Sequence, residues 1–556
     1  MISKIFKELN NNHHLNILYF FIISICLALS DLIGAISLSS LVSFLSNSAD
    51  IFQKKIPFFF EILGQNKKDA FLKILVITSI FFYLSLLLRT FYGYQKVKFL
   101  NNIKIFIGKK IFRKFLNISF SKFNKYTNAE VQTLLNFESE RFSSCVSSVI
   151  KINEGLISII ILFISLSFVN LSYIIYFILL GIVFYFSYRL IKPIILENDK
   201  ILRESNIKMV DTVNETVANI KLIKIQKIFS FFFDKFVLEG IKFSKSRSIH
   251  QFMPIFTKNI IEFILFSIFI LFIALYLNSS ESNIQELLPV ITFFLVLAYR
   301  LVPSFQTIYT AVVSLYSSKS AIISISDSLK INDEILSSKD EIDFNKEILF
   351  KNLNFQYSMN TKFIHSNLNI MIKKNTLNVI LGKSGTGKST LLDLISGLIT
   401  PTQGEIFIDD NKLEQANILS WQNKIGFMGQ DLVLLNNSVK RNIEFGSNKE
   451  IKNNDYENLL KLFFDNDEIS KFQNDNFLVG ERGSQISFGQ RQRIILARQF
   501  FSDKEVILLD EPTSSLDEFN IIKFKDVLKS IKGTKTIILT THNHSFNDIS
   551  DQIITL

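Results

Sequence analysis

At 556 residues the chain has room for two or three domains. Hydrophobic residues make up 48% and mean hydropathy is +0.28, which excludes an ordinary soluble protein. Two cysteines exclude a disulfide framework, and the net charge of +11 comes without any basic–aromatic module for nucleic acid.

The apolar excess lies before residue 320, predicting a membrane half followed by a soluble half. Six apolar segments, most of them near the ~20 residues a bilayer requires, read as spans. They lie at about 16–46, 72–94, 154–170, 172–190, 257–277 and 287–315. The first is long and lacks a small-residue cleavage site, so it reads as a span rather than a cleaved leader. Lys96, Lys98, Lys104, Lys109, Lys110, Arg113 and Lys114 follow the second span and place that connection in the cytoplasm. The 2–3 and 4–5 connections are long and polar, so helices are expected to continue beyond the bilayer there, with both termini inside. A tight turn at Asn170-Leu171-Ser172 joins spans three and four.

The first loop opposes the charge rule, since Lys54, Lys55, Lys67 and Lys68 fall outside. Phe52, Ile56, Phe59, Phe60 and Leu63 recur there at helical spacing. That pattern suits an interfacial amphipathic helix, while Pro57 keeps an ordinary loop open. Three cations stand in or beside spans: Arg89, Lys258 and Arg300. Charges at that depth face a partner or a cavity, and this cavity would receive an anionic head group. Lys258 has Glu262 one turn on, so a structural ion pair competes with that role. Arg89 and Arg300 have no such local partner. Asp31 in the first span reads as a helix–helix hydrogen-bonding group.

A polar linker is expected over 325–343, dividing a membrane domain, 1–324, from a nucleotide domain, 344–556. In the latter, Gly382-Lys383-Ser384-Gly385-Thr386-Gly387-Lys388-Ser389 is a complete P-loop between an apolar strand, 377–381, and a helix beginning near Thr390. Gly382, Ser384, Gly385 and Gly387 let backbone N–H groups curl around phosphate. Lys388 reaches the β- and γ-phosphates, and Ser389 offers its hydroxyl to Mg²⁺. Val506–Glu511 reads as a buried strand ending in two carboxylates, Asp510 for Mg²⁺ and Glu511 to polarise water. Tyr357 is placed to stack on adenine, with core packing as the equal alternative. Gln430 is placed to touch Mg²⁺ or the attacking water, or to be a surface amide.

Ile486-Ser487-Phe488-Gly489-Gln490-Arg491-Gln492-Arg493 resembles the signature motif of ATP-binding cassette proteins. Ser514-Ser515-Leu516-Asp517 resembles their D-loop, Thr541-His542 their switch histidine, and Val479–Gly483 the exporter X-loop. The resemblance implies six helical spans of ABC exporter type followed by an α/β P-loop cassette, hydrolysing ATP with Mg²⁺. It implies Glu511, His542 and Gln430 as catalytic groups, and Thr390, Gln490 and Asp517 among the ATP contacts. It further implies a head-to-tail homodimer, with Ser487 and Gly489 closing the partner's P-loop. Coupling helices are expected near 118–135 and 210–225, in a multi-pass protein of the bacterial inner membrane. Phe488 departs from the family, which has glycine there, so tuning rather than loss of hydrolysis is expected. Family members also commonly run on past the position of Leu556.

Around Leu88–Tyr92 and Leu297–Ser304 the membrane half is similar to bacterial lipid-linked oligosaccharide flippases. The resemblance implies a lipid-linked saccharide as substrate and membrane lipid as partner, with Arg89, Lys258 and Arg300 lining its cavity. Export of lipid A, other lipids, drugs or peptides, and a non-transporting sensor ATPase, remain the alternatives.

Overall fold

The computed structural model describes residues 2–45, 67–167, 174–277, 303–331, 340–357, 363–447, 449–514 and 516–556. It divides into two compact units, Met1–Leu116 with Tyr126–Asn332 and Asn117–Lys125 with Asp333–Leu556.

The first unit is helical because its long apolar runs, set in hydrocarbon, can satisfy their backbone groups only within the segment. Helices run over Asn11–Leu45, Lys67–Asn117, Ser139–Ser167, Ile174–Ala218 and Phe229–Leu277. Pro303–Ser317 and Lys319–Lys330 follow, bent by 47° at their junction. Among the described residues, three helices are long and apolar enough to cross a membrane, or four if that bent pair is one span. The 51-residue helix Lys67–Asn117 would extend about 76 Å, well over twice the ~30 Å hydrocarbon core, so it runs beyond a bilayer as expected.

Lys67 and Lys68, expected in the first loop, instead open this helix. Residues 325–330, assigned by composition to the linker, form the end of Lys319–Lys330. Their serines misled: Ser326 and Ser328 are buried beside Ile322 and Ile325, and Ser328 donates to the Ile325 carbonyl at 2.9 Å. The short helix Phe120–Phe123 lies within the first segment expected to hold a coupling helix, and Ile220–Gln226 overlaps the end of the second. The amphipathic segment 52–63, the turn at 170–172 and Arg300 fall outside the described residues.

A buried ionic knot ties several helices of this unit. Arg141 pairs with Glu138, at the end of a π-helical turn Thr133–Glu138, and with Asp199 of Ile174–Ala218. It also donates to the Ser317 carbonyl and to Ser320 Oγ, while the Ser320 amide donates to Asp199 at 3.1 Å. Arg203 approaches Glu138 at 3.4 Å.

In the second unit, β1 (Glu347–Phe355), β2 (His365–Lys373), β4 (Gln403–Ile408) and β5 (Asn411–Lys412) form an antiparallel sheet in the order β2-β1-β4-β5. A parallel sheet of order β6-β7-β8-β3-β9 is built from β3 (Leu377–Leu381), β6 (Ile425–Met428), β7 (Val506–Asp510), β8 (Thr536–Thr541) and β9 (Gln552–Thr555). Strands β3, β7 and β8 are buried throughout, as their near-continuous apolar runs require in a parallel sheet covered on both faces. Register then sets the site. Leu381 pairs with Thr541, Asp510 with Thr540 and Met428 with Leu509, so four strands end together along one edge. Ligands of open α/β sheets bind at that carboxyl edge.

Candidate nucleotide site

The loop after β3 turns through left-handed backbone at Gly385 (φ +85°) and Gly387 (φ +91°), a conformation that L side chains rarely adopt. Gly387 caps the helix Lys388–Ile395, whose free N–H groups and dipole favour an anion at this end. Lys388 is buried, and its ammonium donates to the carbonyls of Gly382 and Lys383 at 3.0 Å each. It also stands 3.4 Å from Glu511 Oε1.

The carboxylates follow β7. Asp510 accepts from Thr540 Oγ1 at 2.7 Å, an anchor supplied by the neighbouring strand. Glu511 sits at φ +47°, which costs strain in a residue with a Cβ and is held by its surroundings. Its amide donates to the Thr540 carbonyl and hydroxyl, each at 3.1 Å, and its own carbonyl accepts from Gln492 at 3.4 Å. Gln430, exposed just past β6, reaches Ser389 Oγ at 3.5 Å. Asp393, half-buried on the helix after the loop, has its carboxyl pushed up to about 6, first by burial and then by the charge of Asp510.

The remaining positions fall at the sheet edge or on helix caps. His542 is exposed at the end of β8. Tyr357 is 63% exposed, edge-on to Phe355, with its hydroxyl 3.1 Å from Thr390 Oγ1. An exposed ring anchored at its hydroxyl suits stacking better than core packing. Ser487 caps the helix Phe488–Phe501, which holds Gly489 in its first turn. Its hydroxyl accepts from the Gln490 amide at 3.1 Å. The Gln490 side chain accepts from the Ser487 amide and donates to Glu468, each at 2.9 Å. Glu468 also takes a two-pronged bond from Arg493, at 2.7 and 2.8 Å. Asp517 caps Glu518–Ile531 by accepting from the Asn520 amide at 2.8 Å. Phe488 is 46% exposed, with the Arg491 guanidinium 5.2 Å from its ring centre.

These residues fit ATP with Mg²⁺. Ser389, Gln430 and Asp510 are oxygen-bearing groups of the kind a hard cation takes, and Lys388 already sits among oxygens that phosphate could replace.

Among the membrane helices, Arg89 has no partner one turn away on its own helix, as its sequence neighbours indicated, but it does have one on another helix. Arg89 pairs with Asp31, which also accepts from Ser85 at 3.2 Å, so Asp31 does join helices as expected. The partner was hidden because it lies on a different helix, 58 positions away. One turn on, Tyr92 donates to Glu154, and Lys96 reaches the same carboxylate at 2.6 Å. Asp31, Arg89, Tyr92 and Glu154, with Ser24 and Ser304, line a cavity of about 350 Å³. Lys258 lies 3.6 Å from Glu262, the structural pair that their spacing offered. Sequence reading gave Lys96 only a topological role and did not single out Glu154, Glu468 or Thr540, whose partners lie on other elements.

Residues 365–514 match the ABC transporter family model. The chain is 29% identical over 209 residues to the ATP-dependent lipid A-core flippase of Pectobacterium atrosepticum, covering 37% of this chain and 36% of that protein. It is 35% identical over 216 residues to the alpha-hemolysin translocation ATP-binding protein HlyB of Escherichia coli, covering 38% and 30%. It is 34% identical over 208 residues to ABC transporter B family member 2 of Dictyostelium discoideum, covering 37% and 15%. The chain thus spans only 15 to 36% of these relatives' lengths. A bacterial Atm1-family ABC exporter, solved with ATP bound, superposes with a TM-score of 0.80 at 17% identity, covering 98% of this chain and 94% of that one. The chain therefore has the fold of an ABC exporter, a helical membrane region followed by an α/β cassette.

Proposed function

We propose that this chain is one half of an ATP-driven exporter. Two copies pair head to tail in a bacterial cytoplasmic membrane and couple ATP hydrolysis to moving an amphiphile out of the inner leaflet. The observation that carries this reading is the convergence of Lys388, Ser389, Gln430, Asp510 and Glu511 at one sheet edge, in a chain that also holds membrane-length helices.

Lys388 exchanges its bonds to Gly382 and Lys383 for phosphate oxygens. Ser389, Gln430 and Asp510 would hold Mg²⁺, which would neutralise charge on the phosphates. Glu511, freed from Lys388, accepts a proton from the attacking water, and His542 at the neighbouring strand end faces the γ-phosphate. Ser487, Gly489 and Asp517 act across the pair on the partner's nucleotide.

For the substrate, we take a lipid-linked oligosaccharide as the reading favoured by a cation, Arg89, in a polar cavity among apolar helices. Lys258 and Arg300 would extend that cationic lining. A lipid A-type substrate is the second reading, favoured by the flippases among the relatives. ATP hydrolysis by purified protein in liposomes tests both, with polyprenyl-pyrophosphate oligosaccharide in one set and lipid A in another. Stimulation by the first alone supports the oligosaccharide, and stimulation by lipid A alone transfers the assignment. Hydrolysis abolished by Glu511→Gln shows that the activity belongs to this site, whereas no hydrolysis in the unmodified protein would sink the transporter reading.

A further inference from the structure

From the geometry under the phosphate loop we infer that His365 is a positioning residue for ATP, holding the Gly387–Lys388 peptide by donating a hydrogen bond to the Gly387 carbonyl. His365 opens β2 and is only 4% exposed. Its Nε2 lies 3.1 Å from the Gly387 oxygen. A carbonyl can only accept, so the proton is on Nε2 and the ring is the donor.

The bond acts on the loop's most constrained point. Gly387 stands at φ +91°, and a Cβ built there would come within 2.9 Å of the His365 ring, so ring and glycine are fitted to each other. The same carbonyl accepts from the Leu391 amide at 2.9 Å, the first bond of the helix. In a trans peptide the C=O and the following N–H point in opposite directions. Anchoring the Gly387 oxygen from below therefore aims the Lys388 N–H out of the helix end, toward the phosphate position. The Ile364 side chain crowds the same side of Gly387, but an apolar chain offers no donor.

This inference rests on reading the loop as the ATP site. It belongs to phosphate binding rather than to base recognition, because nothing in the contact involves Tyr357.

The test compares full-length protein, His365→Leu and His365→Gln in nanodiscs, titrated with Mg-ATP and with Mg-tripolyphosphate, which has no base. Leucine fills the space without a donor, whereas glutamine returns an N–H at similar reach. His365→Leu should weaken both ligands by the same factor, roughly fivefold for one lost hydrogen bond. Its KM for ATP should rise in step while kcat at saturation is unchanged, and His365→Gln should restore affinity. Equal affinity in the leucine variant overturns the inference. So does a glutamine variant as weak as leucine, because ring packing rather than donation would then be at work. Melting without nucleotide checks folding, and His365→Met gives the same comparison if the leucine variant melts below assay temperature. If the unmodified protein binds neither ligand, the ATP reading fails instead.

Discussion

The Lys388 ammonium lies 3.4 Å from a carboxylate oxygen of Glu511. The group that should grip phosphate is thus paired with the group that should activate water, and phosphate must compete with Glu511 for the lysine. Glu511→Gln keeps the shape and removes both the charge and the base. Steady-state hydrolysis should fall by at least about 100-fold, the usual contribution of a general base. Binding of Mg-ATP, followed by titration, should persist or tighten because a competing anion has gone.

Asp393 gives the cassette a pH dependence whose sign is fixed. Its folded pKa, about 6, stands above the ordinary 3.8, so the folded protein holds a proton that the unfolded chain releases. Its contribution therefore favours folding most at low pH, declines as pH rises from the unfolded to the folded value, and stays at its least favourable above that. Asp393→Asn should raise the melting temperature at pH 7.5, and the gain should shrink at pH 5. A gain equal at both pH values would assign the effect to something other than titration.

Glu468 bridges the signature helix to its neighbour by holding Gln490 and Arg493 together. The Arg493 side chain is 10% exposed, so Glu468→Ala strands a nearly buried cation. A loss of about 3 kcal/mol is expected in chemical denaturation of the cassette transition. Glu468→Gln, which still accepts hydrogen bonds, should lose less. Phe488→Gly removes a ring that is only half buried and should cost less than Glu468→Ala.

The Arg89–Asp31 pair yields a prediction about charge balance rather than stability alone. Asp31→Asn leaves the arginine unneutralised beside the cavity and should strengthen stimulation of ATP hydrolysis by an anionic lipid. Arg89→Ala should weaken it, with unstimulated hydrolysis retained in both. Stimulation unchanged in either variant would remove this cation from the substrate path.

What could be read from sequence was what is local. The P-loop, the apolar strands flanking it and the Asp510-Glu511 end all announce themselves within a few residues, because fully buried parallel strands are continuous apolar runs. What escaped was pairing between elements. Spacing along one helix reveals Lys258 with Glu262, but not Arg89 with Asp31 or Glu468 with Arg493, which depend on which helices lie side by side. His365 escaped for the same reason, since its partner Gly387 is 22 positions on. The start of the expected linker overlaps a helix because serine is polar in composition yet can be buried when its hydroxyl bonds its own helix, as Ser328 does.

Arg141 has one more consequence, for how the helical unit can move. Oily surfaces can slide past one another with little change in contact, but a guanidinium bonded in fixed directions cannot. Shifting one of its helices by a single turn, roughly 5.4 Å, would break its bonds to Glu138, Asp199 or Ser320. Around this point, Ser139–Ser167, Ile174–Ala218 and Lys319–Lys330 are bolted into a stiff lever, and any flexing must take place elsewhere along their length.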